Sequence, residues 1–560
     1  MPVRWRVRLL RPGLVLLLAL TTATPALDAQ PAAVASASVS SPAAPPGAED
    51  ITEAQLRDYL TFVAADELGG RDTPSRGLDV AARFLATLLA RWGYEPAGDA
   101  GTFFQTIALT RRTLDREQTS LRIGDRPLDL GGDYLPSTAA SGSVSGRLVY
   151  VGHGYVVKSK SLDPYANVDV RGAVVLMHPG LPAGIATNDL RGPEGDDWQD
   201  GPTAAAARGA VAILYLADFQ RLASWPDSLA AITRRGVMSV DAFESGEAGD
   251  RLPSATLSPA SYRAIFSGEA LDPPAVHRHV ATRTVGPSFV LSARKQASLS
   301  IQTAAVRETT QNVVAVMRGS DPVLRDEYVA LGAHYDHVGE RPDAGPGGDR
   351  IYNGADDDGS GTVGLLGMAE AFAGASSRPR RSILFVWHAG EEKGLWGARY
   401  VAQHPPVPLD RIVTQINVDM IGRSRAPGDT TPANARLTGP DAVYVIGSRL
   451  MSTTLGTLVD DVNDGYLKLT YDYGYADPDH PERFFYRSDH YHYAKHGIPV
   501  AFFFTGVHED YHDVGDEVDK IDFGKMARIT RTIYATAWAL AELPTRPAVD
   551  KPLAQELVTR

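Results

Sequence analysis

A chain of 560 residues exceeds what one ordinary hydrophobic core supports, so at least two domains are expected. Apolar residues make up 44% and charged residues 22%, a balance that excludes disorder for the bulk of the chain. The net charge of −12 includes no long basic block, which argues against nucleic acid as a partner, and with no cysteine any metal must be held by His, Asp and Glu.

The first residues read as an export signal over 1–29. Arg4, Arg6, Arg8 and Arg11 form a positive region, residues 14–20 an apolar one, and small residues near Ala26 or Ala29 offer a cleavage site. The apolar run falls short of the ~20 residues that span a bilayer, so the expectation is a periplasmic or secreted protein without a stable membrane anchor. An Ala/Ser/Pro-rich flexible linker follows over 30–48.

From Glu49 the pattern changes. Leu56, Leu60, Phe62 and Val63, then Ala81, Phe84, Leu85, Leu88 and Leu89, recur at helical spacing and predict two amphipathic helices within an N-terminal segment, 49–114, the second ending near Gly93. The polar, glycine-rich stretch between them is either a surface loop or part of a functional face. After Phe103 the texture is that of short strands.

Over 115–287, short apolar runs punctuated by glycine (GRLVYVGHGY, GAVVLMHPG, GAVAILYLAD) predict a compact β/α module inserted into the host. Its histidines, His153, His178, His277 and His279, lack carboxylates at ligand spacing and read as surface or structural.

The host resumes over 288–545, followed by a tail, 546–560. Strand candidates are 312–317, 327–333, 382–387, 412–418, 442–446 and 499–504, with a helix over 362–372. Residues 522–543 carry one apolar stripe of Phe523, Met526, Ile529, Ile533, Ala537 and Leu540, as a core-packed helix does. This alternation predicts an α/β fold: a mainly parallel mixed sheet sandwiched by helices, with a smaller inserted β/α domain.

The chemistry gathers in this last region. YVALGAHYDH (328–337), FVWHAGEEKGLWG (385–397) and QINVDMIG (415–422) each place a His, Asp or Glu just past an apolar strand, where open α/β sheets bind ligands. NGADDDGSG (353–361) adds three adjacent aspartates that repel one another unless cations or helix amides neutralise them. Capping needs only one, so the run favours metal. YHDVGDEVDKID (511–522) adds His512 with Tyr511 beside it. Asp336, two residues after His334, is a reasonable carboxylate partner for that imidazole. Of the adjacent Glu391 and Glu392, one can ligate while the other accepts a proton. His490 and His492 read as structural. The donors suit two hard or borderline divalent cations, with zinc preferred.

Together these motifs resemble the co-catalytic di-zinc aminopeptidases of metallopeptidase family M28, over roughly 310–522. The resemblance implies that His334 and Asp419 bind the first zinc, Glu392 and His512 the second, and that Asp357 bridges both. It also implies that Glu391 is the general base, that Asp336 supports His334 and that Tyr511 polarises the substrate carbonyl. The inserted module is similar to a protease-associated domain. Two divalent cations against the three charges of Asp357, Glu392 and Asp419 leave room for one hydroxide, a site poised to ionise water. The expectation is an exported zinc exopeptidase that removes N-terminal residues from peptides, using a metal-bridged water and a glutamate base. Three alternatives stay open: a carboxypeptidase using Arg487 for the substrate carboxylate, a glutaminyl cyclase-like transferase with one zinc, and a non-catalytic receptor-like ectodomain. Residues 471–487, rich in Tyr, Pro and Asp, are expected to shape substrate selection. Nothing in the pattern sets an oligomeric state.

Overall fold

Near-continuous apolar runs can form strands only where both faces of a sheet are covered. In the computed structural model, which describes residues 44–190, 193–244, 251–341 and 348–558, such runs build the middle of the main sheet. The leader and most of the linker expected over 1–48 lie outside the described residues. The principal strands are β1 (Phe104–Leu114), β2 (Thr303–Met317), β3 (Tyr328–His334), β4 (Ser382–His388), β5 (Ile412–Val418), β6 (Ala442–Ile446) and β7 (Val500–Phe504). They lie in the order β1-β2-β4-β3-β5-β7-β6, with Val237–Val240 outside β1, Thr470–Asp472 outside β6 and Glu95–Pro96 on β2. The four central strands, β4-β3-β5-β7, are parallel, and every residue in them is buried. The β1-β2, β2-β4 and β7-β6 pairs are antiparallel, so the sheet is mixed with a parallel centre.

Side-chain alternation along the strands divides the core in two. Val313, Ala315, Ile383, Phe385 and Trp387 face one layer of helices. That layer comprises α1 (Glu53–Val63), α2 (Arg76–Arg91), α3 (Gly361–Gly374), α5 (Thr453–Gly465) and α7 (Phe523–Glu542). Val314, Val316, Leu384 and Val386 face α4 (Trp396–Gln403) and α6 (His490–Lys495) on the other side. Local signals start these helices where the sequence places them. Thr52 and Gln55 form a reciprocal capping box at α1, and the Ser75 hydroxyl accepts from the Leu78 amide at α2.

β2 begins at Thr303, well before the 312 edge read from the sequence. Its outer half pairs with β1 from Thr303↔Leu114 onward, and residues 304–307 are exposed. This ribbon mixes Ala304, Ala305 and Val306 with Arg307, Glu308 and Thr309 because water reaches it, so its sequence lacks the continuous apolar signature of the inner strands.

Between β1 and β2 the chain builds a second, nine-stranded sheet with its own core around Leu148, Leu176, Leu214, Leu257 and Phe266. This sheet takes in Gln296–Ile301, beyond residue 287, and the chain returns to the main sheet directly afterwards. One segment of the intervening stretch crosses back: Val237–Val240 pairs antiparallel with β1.

The glycine-rich connection from α1 to α2 reaches the functional face rather than looping over the surface. Arg71 within it is fully buried and donates to four main-chain carbonyls: Val63 at 2.7 Å, Asn353 at 2.6 Å, and Tyr335 and Gly354 at 3.0 Å. One guanidinium thus joins the N-terminal helices to the loops after β3. Burial lowers the pKa to about 10, with Asp336 and Asp516 opposing the shift, so the group stays charged at neutral pH. Arg71→Met, which keeps length but no donors, is expected to destabilise the fold by about 3 kcal/mol or more, because buried carbonyls are left unpaired. Thermal or urea melting of the variant checks this, and an unchanged midpoint would refute the role.

Candidate metal centre and active site

The parallel order β4-β3-β5-β7 brings four strand ends side by side, and each delivers functional groups. His334 is the last residue of β3, Asp419 follows β5, Glu391 and Glu392 lie just past β4, and His512 sits in the loop after β7. Asp357 comes from the turn Ala355–Ser360 that leads into α3; its peptide bond to Asp358 is cis.

All five expected ligands converge. His334 Nε2 lies 3.3 Å from Asp357 Oδ1 and 3.7 Å from Asp419 Oδ1. His512 Nε2 lies 3.1 Å from Asp357 Oδ2 and 3.0 Å from Glu392 Oε2. Asp357 therefore turns one oxygen to each histidine and stands between two donor groups. Among the described residues, the groups able to hold a metal are His337, Asp357, Glu392 and His512, and His334, Asp358 and Asp419, each with ligand atoms within 4.8 Å of one another. None of His153, His178, His277 or His279 belongs to either group.

The three adjacent aspartates have separate tasks. Asp358 accepts the amides of His334, Gly361 and Met420 at 3.2, 2.8 and 3.1 Å, which ties β3, α3 and the end of β5 together. Asp356 accepts the Gly422 amide at 2.6 Å and the Ser360 hydroxyl at 2.8 Å. Asp357 alone presents both oxygens to the histidines.

Asp336 stands behind Glu391 rather than squarely behind His334. Its Oδ1 accepts the Glu391 amide at 3.2 Å, whereas His334 Nδ1 lies 3.1 Å from the Asp336 main-chain oxygen and 3.8 Å from the carboxylate. Glu391, His334, Asp357, Asp419 and Tyr511 line one cleft, whose remaining wall is Met420, Phe484, Arg487, Phe502, Phe504 and Val507. The Tyr511 ring stacks on His512 at 4.0 Å between centroids. The expected structural histidines fit their places: His490 is buried against Phe502, and burial lowers its pKa to about 3.

Three contributors have no marked signature in the sequence. The Ser488 hydroxyl donates to Asp419 Oδ2 at 2.7 Å and accepts from Asn417 Nδ2 at 2.8 Å, which aims the Asp419 carboxylate. Asp516, buried in the loop of His512, accepts the amides of Asp356 and Asp357 at 3.0 Å each. His337, fully buried, places Nδ1 2.9 Å from Glu392 Oε1. The nearness of His337 to His334 in sequence was the one available clue to the last.

The donor chemistry fits divalent cations. Asp357, Glu392 and Asp419 are crowded carboxylates, and imidazoles supply the counter-charge. Burial alone would lower His334, yet Glu391, Asp357 and Asp419 outweigh it and hold the imidazole well above its ordinary value. His512 is likewise pulled down by burial but pushed up to about 10 by its hydrogen bonds to Asp357 and Glu392. Burial raises Glu391 well above the usual carboxylate range; Glu392 and Asp419 add to this, and His334 opposes it. Burial, then Asp357 and Glu392, raise Tyr511, so its phenol remains a donor.

Residues 312–537 match the family model of peptidase family M28. The chain is 29% identical over 289 residues to leucine aminopeptidase 2 of Arthroderma otae, covering 47% of this chain and 52% of that protein. It is 31% identical over 260 residues to a probable zinc metalloprotease of Pyrenophora tritici-repentis, covering 42% and 58% respectively. The chain thus spans about half the length of the curated relatives it matches. Among solved structures, an aminopeptidase from Aneurinibacillus sp. strain AM-1 shares the fold, with a TM-score of 0.51 at 17% identity over 90% of this chain and 97% of that one.

Metal uptake should be proton-linked. His334 and His512 are held protonated without metal and must be neutral to ligate, so zinc binding near neutrality releases protons and tightens as pH rises, by about tenfold per unit for each proton displaced. Calorimetric titration in buffers of different ionisation heat measures the release; no buffer dependence would contradict it. Asp516→Asn replaces an acceptor of two amides and should weaken zinc binding by about 10- to 100-fold. Competition with a chelator reads the change.

Proposed function

We propose that this chain is a zinc-dependent aminopeptidase that removes apolar residues from the amino termini of peptides. The carrying observation is Asp357 set between His334 with Asp419 and His512 with Glu392, with Glu391 lining the same cleft. In this reading two zinc ions are held, one by His334, Asp357 and Asp419, the other by Asp357, Glu392 and His512. Zinc supplies Lewis acidity there, polarising the scissile carbonyl and making water a nucleophile at neutral pH.

The chain's own groups do the rest. Glu391, held by its amide on Asp336 and pushed toward a higher pKa by burial, takes the proton of the attacking water and passes it to the leaving amine. Tyr511, kept as a phenol, donates to the substrate oxygen as negative charge develops. Asp419 and Glu391 make the cleft anionic, which favours a substrate ammonium. Phe484, Phe502, Phe504 and Met420 form an apolar wall that suits an aliphatic or aromatic first side chain, and the relatives' name, leucine aminopeptidase, agrees with this. The arginine-rich, apolar first residues support a periplasmic or secreted enzyme.

One observation favours a second reading, carboxypeptidase action. Arg487 lines the cleft, its guanidinium 4.7 Å from the Phe484 ring and 3.5 Å from the Tyr511 hydroxyl, where a substrate carboxylate could be met.

Glu391→Gln should retain metal content while cutting kcat by ~10² or more. Zinc analysis beside steady-state kinetics checks this, and an active, metal-loaded variant would exclude Glu391 as the base. Peptides blocked at one end decide direction: N-acetylation should abolish turnover and C-terminal amidation should leave it. The opposite pattern would establish the carboxypeptidase.

A further inference from the structure

His337 has no part in that chemistry, yet its side chain is directed at the group formed by Asp357, Glu392 and His512. The side chain is wholly buried, and its Nδ1 lies 2.9 Å from Glu392 Oε1 and 3.8 Å from Asp357 Oδ2. With His512 Nε2, these atoms form the four-membered group whose donors all fall within 4.8 Å of one another.

The ring is fixed in that orientation. It packs against Gly354, where an added Cβ would stand 2.6 Å from His337 Cγ and Cδ2, and Gly354 itself has φ +57. The His337 amide donates to the Arg71 carbonyl at 3.2 Å, so the backbone is pinned as well. The other ring nitrogen, Nε2, is buried and has no hydrogen-bond partner among the described residues. Here the single polar contact is directed at the Glu392 and His512 group.

Resting on the di-zinc reading, we propose that His337 is a fourth protein ligand at the position formed by Asp357, Glu392 and His512. The two positions are then unequal. One offers two imidazoles and two carboxylates, and the other offers His334, Asp357 and Asp419. The four-donor position binds zinc more tightly and fills first.

Replacement of His337 by Gln separates ligation from simple support, because a Gln amide can still donate to Glu392 but is a poor zinc ligand. In chelator competition, the wild-type chain should take up two zinc ions in two resolved steps, and His337→Gln should weaken the tighter step by about tenfold or more while sparing the weaker one. In the cobalt-substituted wild-type protein, paramagnetically shifted imidazole N–H resonances should include one, assigned by its loss in the variant, beyond those of His334 and His512. Wild-type affinities in His337→Gln, or a cobalt spectrum without a His337 signal, would overturn the proposal while leaving the di-zinc reading intact. A wild-type chain that binds no zinc would overturn both.

Discussion

Crowding buried carboxylates at one point is the constraint on which this structure turns. Asp357, Glu392 and Asp419 repel one another, and their desolvation adds to the cost, so the arrangement holds only where positive charge and amide donors are built around it. The sheet order supplies the place: four parallel strands end side by side, and their following loops crowd together. Counter-charge comes from His334, His512 and the buried Arg71, and amides from His334, Gly361, Met420 and Gly422 occupy the oxygens of Asp356 and Asp358. Asp357, Asp419 and Glu391 are the carboxylates that line the cleft.

The loop after β7 has a double duty. It carries His512, whose φ of +52 is unfavourable for a side chain of that size, and four residues later it carries Asp516, which grips the amides of the Asp357 turn. Arg423 and Lys520 hold the same loop through Asp510, at 2.8 and 2.7 Å. His512 and the brace on the Asp357 turn therefore share one loop, held at Asp510 by Arg423 and Lys520.

The strand-end donors were legible because an all-apolar run belongs inside a covered sheet, so a His, Asp or Glu at its end falls on the sheet's rim, where loops gather. Four helices of the main layer were equally plain, since α7 buries the stripe its periodicity displays, whereas α5 was not read from the sequence. The outer half of β2 was hidden because a water-exposed ribbon needs no apolar code. Asp516 and Ser488 were hidden because they act through a backbone amide and a hydroxyl, contacts that arise only once distant loops meet. Asp336 shows the limit of spacing rules: a His-X-Asp pattern suggests a carboxylate on the imidazole, but the turn after β3 brings the main-chain oxygen closer and sends the carboxylate to Glu391. His337, in the same turn, instead reaches Glu392 Oε1 through Nδ1 at 2.9 Å.

Val237–Val240 has a bearing on how this protein is built. By pairing with β1 it caps a sheet margin that would otherwise present unpaired amides to solvent, and Val240 packs with Ile107 and Leu109, with Trp396 and Tyr400 alongside, on the helix that follows Glu392. The intervening stretch is thus tied to the main sheet through this strand, which shields its margin and packs beside the helix that follows Glu392.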